Sequence, residues 1–392
     1  MKMIEQNMFI ELQPARPHRT PASRDVAAQL AAIRRIVKAT RAAIPADAPE
    51  MASMSGELDV APLSVRPLFE DAALQDRLRW AKGLTGETKQ LVLQQLNRAK
   101  ELGCLRRLAS PPDPSAFDLL ERDFPHCAKV VGLLRRRAAL ARCSPSPAFG
   151  FPPLLLIGPP GVGKTIFAKR LAATMFVPCA VLDMSSLQTA FTVVGLDVGY
   201  SQGRAGLIWD LLQHECMAPI VVLDELDKAC SDRRADDCTG FLYSLLEPVT
   251  ASRFTDAAVG LPVDASSIGW IATCNRTDDI DPAIASRFTI LEVDQPTRKQ
   301  MPSVVASIHR DILARETWAG WFKQPMPPEA AAALALMSPR EVRLAIEEMY
   351  ASAAVAGRRA VIPADVPERR SATNTQRHIG FVQGDSPTRT SP

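Results

Sequence analysis

Long hydrophobic runs are absent from this 392-residue chain. Its apolar stretches fall far short of the ~18 residues needed to cross a bilayer, so no helical membrane span and no membrane partner is expected. The first ten residues, MKMIEQNMFI, carry Glu5, Gln6 and Asn7 where a secretory leader needs an apolar centre. An excess of one charge is lacking too. The 46 Lys and Arg against 43 Asp and Glu leave a net charge of +3, too even to argue alone for a nucleic-acid or membrane partner. Cysteine pairs at zinc-binding spacing are missing. The eight cysteines (Cys104, Cys127, Cys143, Cys179, Cys216, Cys230, Cys238, Cys274) are scattered through segments that otherwise read as buried, as reduced thiols in a cytoplasmic protein are. No internal repeat is visible.

What remains is a chain of ordinary globular composition, 47% hydrophobic and 23% charged, long enough for two or three domains. Proline-rich stretches at 14–21 and 45–67 read as linkers, and between them Val26, Leu30, Ile33 and Val37 have helical spacing over 23–44. Further helices are expected at Asp71–Lys82 and Glu87–Leu102, the second capped by Gly103, and at 125–143 with Asp123 as N-cap. The first 121 residues therefore read as all-α. From residue 151 the texture changes. Short apolar runs at Leu154–Ile157, Ala180–Leu182, Ile220–Leu223, Ile268–Ala272 and Ile290–Val293 alternate with helical stretches. Such runs suit strands buried on both faces of a parallel sheet, and predict an α/β layered core with helices on both faces. From about residue 295 only helical patterns follow, at 298–316, 329–337 and 339–356, before a tail rich in Arg, Ser, Thr and Pro that reads as disordered.

The strand Leu154–Ile157 runs into Gly158-Pro159-Pro160-Gly161-Val162-Gly163-Lys164-Thr165, and a helical pattern follows. Strand, glycine-rich loop and helix are the context of a phosphate-binding P-loop. The glycines let backbone amides turn inward to form an anion site at a helix N-terminus. Lys164 is expected to reach the β- and γ-phosphates of ATP, and the Thr165 hydroxyl to complete coordination of Mg2+. The run Ile220–Leu223 ends in Asp224-Glu225. If that strand lies beside the P-loop strand, both carboxylates reach the crevice where open α/β sheets bind ligands. Asp224 is then the metal-side carboxylate, and Glu225 the base that polarises the attacking water.

GPPGVGKT, VVLDELDKA, WIATCN and ASRF, in that order, resemble the AAA+ ATPases, and more narrowly the ATPase module of Lon-type proteins. The resemblance covers roughly residues 122–360. It implies a P-loop α/β core at 122–294 and a helical lid at 295–362, after a helical region at 1–121 and before a disordered tail at 363–392. Asn275 matches the sensor-1 residue that helps hold the lytic water. Arg287 matches the arginine finger, which acts on the nucleotide of a neighbouring subunit. Arg340 is the better match to sensor 2, with Arg343 the alternative. Tyr200 falls where the family's pore loop carries an aromatic that grips polypeptide, although Ser201 departs from the usual second residue; a packed or turn tyrosine is the other reading. His126 lies in the segment before the core, where the family often lines its adenine pocket, and is given no role.

The resemblance implies a homo-oligomeric ring, read as a hexamer, remodelling or unfolding a protein substrate. Only ~30 residues follow the lid, without a core-forming pattern, so no intrinsic protease is expected. Two further readings stay open: an ATPase acting on nucleic acid or nucleoprotein, and a slow nucleotide-gated scaffold. The basic run Arg135-Arg136-Arg137 spreads around a helix and suits a solvated surface or a subunit contact better than nucleic acid.

Overall fold

The computed structural model describes residues 64–200, 202–229, 236–323 and 325–367. The expected helix at 23–44, the linker at 14–21, most of that at 45–67 and the tail beyond residue 367 lie outside them.

Strands β1 (Val65–Pro67) and β2 (Leu105–Arg107) form an antiparallel pair around the helices Asp71–Lys82 and Gly86–Leu102. The N-terminal helical reading therefore gains a small two-stranded ladder. Gly103 closes the second helix at φ 75, in the left-handed region that favours glycine. A helix not expected from the sequence, Pro114–Asp123, comes before the one expected at 125–143, which is a single 3-10 turn at Pro125–Cys127 followed by Ala128–Arg142. Asp113 is the N-cap of the first, accepting from the Ser115 amide at 2.9 Å. Asp123 is no N-cap, a correction with a clear cause. Its carboxylate accepts from Arg310 at 3.1 and 3.0 Å, a long-range partner that the local pattern could not reveal.

Strands β3 (Leu154–Ile157), β4 (Cys179–Asp183) and β5 (Ile220–Asp224) come next. A short antiparallel hairpin, β6 (Phe254–Thr255) and β7 (Pro262–Val263), precedes β8 (Gly269–Cys274) and β9 (Thr289–Glu292). Five of these form a parallel sheet in the order β4-β5-β8-β3-β9. The inner strands β3, β5 and β8 are almost wholly buried because both faces are covered, whereas the edge strand β9 leaves Ile290 48% exposed. In β5, Val221 and Leu223 join one hydrophobic cluster with Leu74, Leu96 and Trp209, while Ile220 and Val222 join another with Val131, Leu134 and Phe167. Alternate residues point to opposite faces. At ~1.5–3 kcal/mol for each fully buried aliphatic side chain, this inner strand is a main source of cohesion.

The strand order corrects one expectation. The acid-tipped β5 is not beside the P-loop strand β3, because β8 lies between them. All six residues of β8 are buried, which suits the middle of the sheet. Apolar patterning identifies a doubly covered strand but not its neighbours.

After β9 the chain builds a separate helical core from Met301–Arg315, Pro328–Leu334 and Pro339–Val355, centred on Val305, Ile312, Leu334, Ile346 and Met349. Ser338 caps the last helix through a capping box with Glu341. Arg310 on Asp123, an ion pair between Arg170 and Asp311, and Gln300 on the Pro125 carbonyl at 3.1 Å fasten this unit to the α/β core. No helix among the described residues is long and apolar enough to cross a membrane.

Candidate functional site

The loop at the end of β3 is shaped by its glycines. Gly161 and Gly163 adopt φ 80 and 96, where other L-residues are strained. Gly158 has no room for a side chain, since a Cβ there would lie 2.0 Å from the Val293 carbonyl oxygen. Val162 is buried, and its carbonyl accepts from His126 Nε2 at 2.8 Å. Burial pulls the His126 imidazole below its ordinary 6.5, which favours a neutral ring donating from Nε2. His126 thus braces the loop from behind.

Lys164 opens the helix Lys164–Met175 and is only 8% exposed. Its ammonium donates to the carbonyls of Gly158 (2.6 Å) and Pro159 (3.0 Å) and to Asn275 Oδ1 (3.3 Å). Burial lowers its proton affinity below the ordinary 10.5. Cys274, Asp224, Asp227 and Glu225 oppose that shift. Thr165, the next residue, donates its hydroxyl proton to Asp224 Oδ1 at 2.7 Å. A hydroxyl and a carboxylate side by side are the hard oxygen donors Mg2+ prefers, and few protein ligands suffice for an ion that also binds phosphates. The pair fits the expected metal.

Thr273, not singled out from the sequence, organises the acidic side. Its hydroxyl donates to Asp224 Oδ1 at 2.6 Å and accepts from the Glu225 amide at 3.1 Å. Glu225 sits at φ 57, a left-handed conformation that costs a non-glycine residue ~1–2 kcal/mol and needs such a partner to persist. Its carboxylate is partly exposed and ion-paired with Lys228. Asp227 was passed over as well. It is 8% exposed, and its Oδ2 accepts from the amides of Asn275 (2.9 Å) and Arg276 (3.4 Å), setting the turn on which Asn275 stands. Each residue left a trace in the sequence: Thr273 is the one hydroxyl in the apolar run of β8, and Asp227 is a second aspartate close behind Asp224.

Lys164, Thr165, Asp224 and Asn275 are therefore brought together as two hydrogen-bonded pairs, Lys164 with Asn275 and Thr165 with Asp224, and Glu225 joins the second through its backbone and Thr273. Arg340, at the start of the helix Pro339–Val355, packs on the loop: its Cβ lies 3.2 Å from where a Gly161 Cβ would be. Arg343 is instead within 3.8 Å of Glu347 on its own helix. Arg287 has its contacts elsewhere. Its guanidinium donates to the Ala283 carbonyl and lies 5.3 Å from the centre of the Tyr243 ring. Tyr243 in turn donates to Asp281 at 2.9 Å. Tyr200 is also apart, 67% exposed near the tip of a loop.

Known proteins resemble this chain over its α/β part. Residues 154–294 match the family described as ATPase family associated with various cellular activities (AAA). A peroxisomal Lon protease homolog 2 of Arabidopsis thaliana is 30% identical over 187 residues, covering 47% of this chain and 21% of that protein. A Lon protease of Finegoldia magna is 32% identical over 147 residues, covering 37% and 19%. The chain thus spans about a fifth of the length of these curated relatives. Among solved structures, a Saccharomyces cerevisiae Hsp104:casein complex in its extended conformation aligns with a TM-score of 0.51 at 18% identity, covering 63% of this chain and 48% of that one. This last likeness concerns the fold alone.

Proposed function

We propose that the protein binds and hydrolyses ATP and, assembled as a homo-oligomeric ring, uses the turnover to move or unfold a protein substrate. The observation that carries the ATPase reading is the cluster of Lys164, Thr165, Asp224 and Asn275 at the carboxyl ends of β3, β5 and β8. The amides of Gly161 and Gly163 and the ammonium of Lys164 hold the β- and γ-phosphates. Thr165 and Asp224 hold Mg2+, which when bound neutralises charge on the phosphate oxygens. Glu225 accepts a proton from the attacking water, Asn275 orients that water, and Arg340 reports the γ-phosphate to the helical lid. Water attacks phosphorus in line with the departing ADP oxygen. The γ-phosphoryl group leaves as phosphate, and the proton passes to Glu225.

The ring supplies the remaining group. Arg287 contacts Ala283 and Tyr243 rather than the Lys164 cluster, as suits a cation offered to a neighbour's site. Such a residue contributes ~10³–10⁵ in rate where measured in other systems. The protein-substrate reading is supported by the exposure of Tyr200 and by relatives named as Lon proteases. Proteolysis forms no part of the proposal.

The test is Glu225→Gln. It should bind ATP, stall before hydrolysis, and trap the assembly with its polypeptide cargo, both visible by sizing and by mass spectrometry of what co-purifies. A variant that stays monomeric with ATP and hydrolyses it at the wild-type rate refutes both the role of Glu225 and the ring. Tyr200→Ala should lower remodelling per ATP hydrolysed, and full coupling in that variant counts against polypeptide contact.

A further inference from the structure

The segment between Gly195 and Gly206 is closed at its base by mutual backbone hydrogen bonds between Leu196 and Arg204, at 2.9 and 3.1 Å, and carries Tyr200 at its outer end. Below that base sits Asp256, in the turn between β6 and β7, with no exposed surface at all. One carboxylate oxygen accepts from the Gly206 amide at 2.8 Å. The other accepts from Ala258 and Val259 at 2.9 and 3.0 Å. A carboxylate so deeply buried persists only when its oxygens are satisfied, and here backbone amides from two separate segments satisfy them. The fit leaves no slack. A Cβ on Gly195 would lie 2.6 Å from both Asp256 oxygens, and one on Gly206 would lie 2.3 Å from the Gly195 nitrogen. Ala257 adds a backbone bond to the Val194 carbonyl at 3.0 Å.

The same turn is gripped from its far side by the helix Asp71–Lys82. Arg77 Nε donates to the Val259 carbonyl at 2.6 Å, and its guanidinium lies 3.4 Å from the centre of the Trp80 ring. Gly260 suits this close approach, with φ 66 and only 2.3 Å from an added Cβ to the Arg77 guanidinium. The negative charge of Asp197, inside the Tyr200 segment, acts on Arg77 as well. Thr88, on the next helix, reaches the Val198 carbonyl at 3.4 Å.

We infer that Asp256 and Arg77 are the two sides of a latch that sets the Tyr200 segment in place, so that the helices before the nucleotide domain position the surface meeting the polypeptide. Both are positioning residues. The inference deepens the polypeptide-contact reading of Tyr200 and rests on it, but the latch itself has an independent readout.

The experiment compares the full chain with Asp256→Asn, Arg77→Ala, Arg77→Lys and Tyr200→Ala. Amide hydrogen exchange over 195–206 is measured alongside casein-stimulated ATP hydrolysis. Asp256→Asn should speed exchange in this segment at least tenfold, and Arg77→Ala several-fold. In both, half-maximal stimulation should need several-fold more casein, while KM for ATP stays within twofold of wild type. Arg77→Lys, which keeps a donor for the Val259 carbonyl, should recover most of the loss. Should Asp256→Asn fail to fold, the two Arg77 variants decide. Unchanged exchange over 195–206 overturns the latch whatever Tyr200 does. Faster exchange with wild-type casein dependence overturns its positioning role. If Tyr200→Ala keeps wild-type casein dependence, the contact reading alone falls, and the exchange result stands apart from it.

Discussion

Replacing Thr273 by valine removes one hydroxyl from the centre of the site while keeping the shape of a side chain that is only 2% exposed. No cavity opens. Two bonds vanish: the 2.6 Å donation to Asp224 and the 3.1 Å acceptance from the Glu225 amide. A hydrogen bond to an ionised group contributes ~1.5–3 kcal/mol, and a buried amide left without a partner costs ~1–3 kcal/mol. Asp224 keeps its bond from Thr165. The damage therefore falls mainly on Glu225, whose left-handed backbone loses the contact that offsets its strain. If ~2–3 kcal/mol of this bears on the hydrolytic arrangement, kcat falls about 30- to 150-fold. Phosphate binding rests on Lys164 and the loop amides, so KM for ATP should stay within about threefold. Thr273→Ser, which restores the hydroxyl, should recover most of the rate. Steady-state ATPase assays, nucleotide binding and a melting curve for each variant make the comparison. A wild-type kcat in Thr273→Val, or equal losses of binding and turnover, would refute the reasoning.

Gly158→Ala forces a Cβ to within 2.0 Å of the Val293 carbonyl, so the loop must shift; a lowered Tm and loss of ATP binding are expected, checked by thermal melts with and without nucleotide. Arg340→Ala should lower kcat at least about tenfold, whereas Arg343→Ala should stay within about twofold, since Arg340 lies on the phosphate loop and Arg343 beside Glu347. The reverse order in ATPase assays reassigns sensor 2. His309 hydrogen-bonds the Tyr350 hydroxyl at 2.7 Å in the lid core, and burial, followed by the charge of Arg310, pulls its pKa from 6.5 to about 4. The unfolded chain then binds this proton more readily than the folded one. The stability is complete above pH 6.5 and is lost as pH falls toward 4, by ~3 kcal/mol at most. Urea denaturation at pH 7.5 and 5 should show the loss, and His309→Gln should shrink it; an equal acid loss in that variant refutes the assignment.

The inner strands β3, β5 and β8 were legible because each is a nearly continuous apolar run, a pattern that double coverage explains, while the edge strands β4 and β9 showed shorter runs. The P-loop was legible because its chemistry requires Gly, Lys and Thr at fixed places along the chain. Partners distant in sequence were not. Nothing around Asp123 announces Arg310, nearly half the chain away, so a local capping pattern looked adequate. Nor does an apolar run declare which strands lie beside it, and β8 was not expected between β3 and β5. Thr273, Asp227 and Asp256 escaped for a related reason. Each acts on a backbone amide, and backbone amides carry no residue signature.

The position of β8 also sets how the site can be lost. Thr273 lies near the end of β8 and Asn275 on the turn just beyond it, so both reach the upper edge of the sheet, one toward Asp224 and the other toward Lys164. Between them Cys274 is turned into the core, a thiol that burial raises to about 12. Deleting or inserting one residue earlier in β8 would exchange the faces of Thr273 and Cys274 and displace Asn275 with them. Hydroxyl and amide would leave together, and an inert thiol would take their place. A frame error too small to unmake the sheet would thus silence both flanks of the site at a stroke, whereas point changes at Thr273 and Asn275 wear it down one flank at a time.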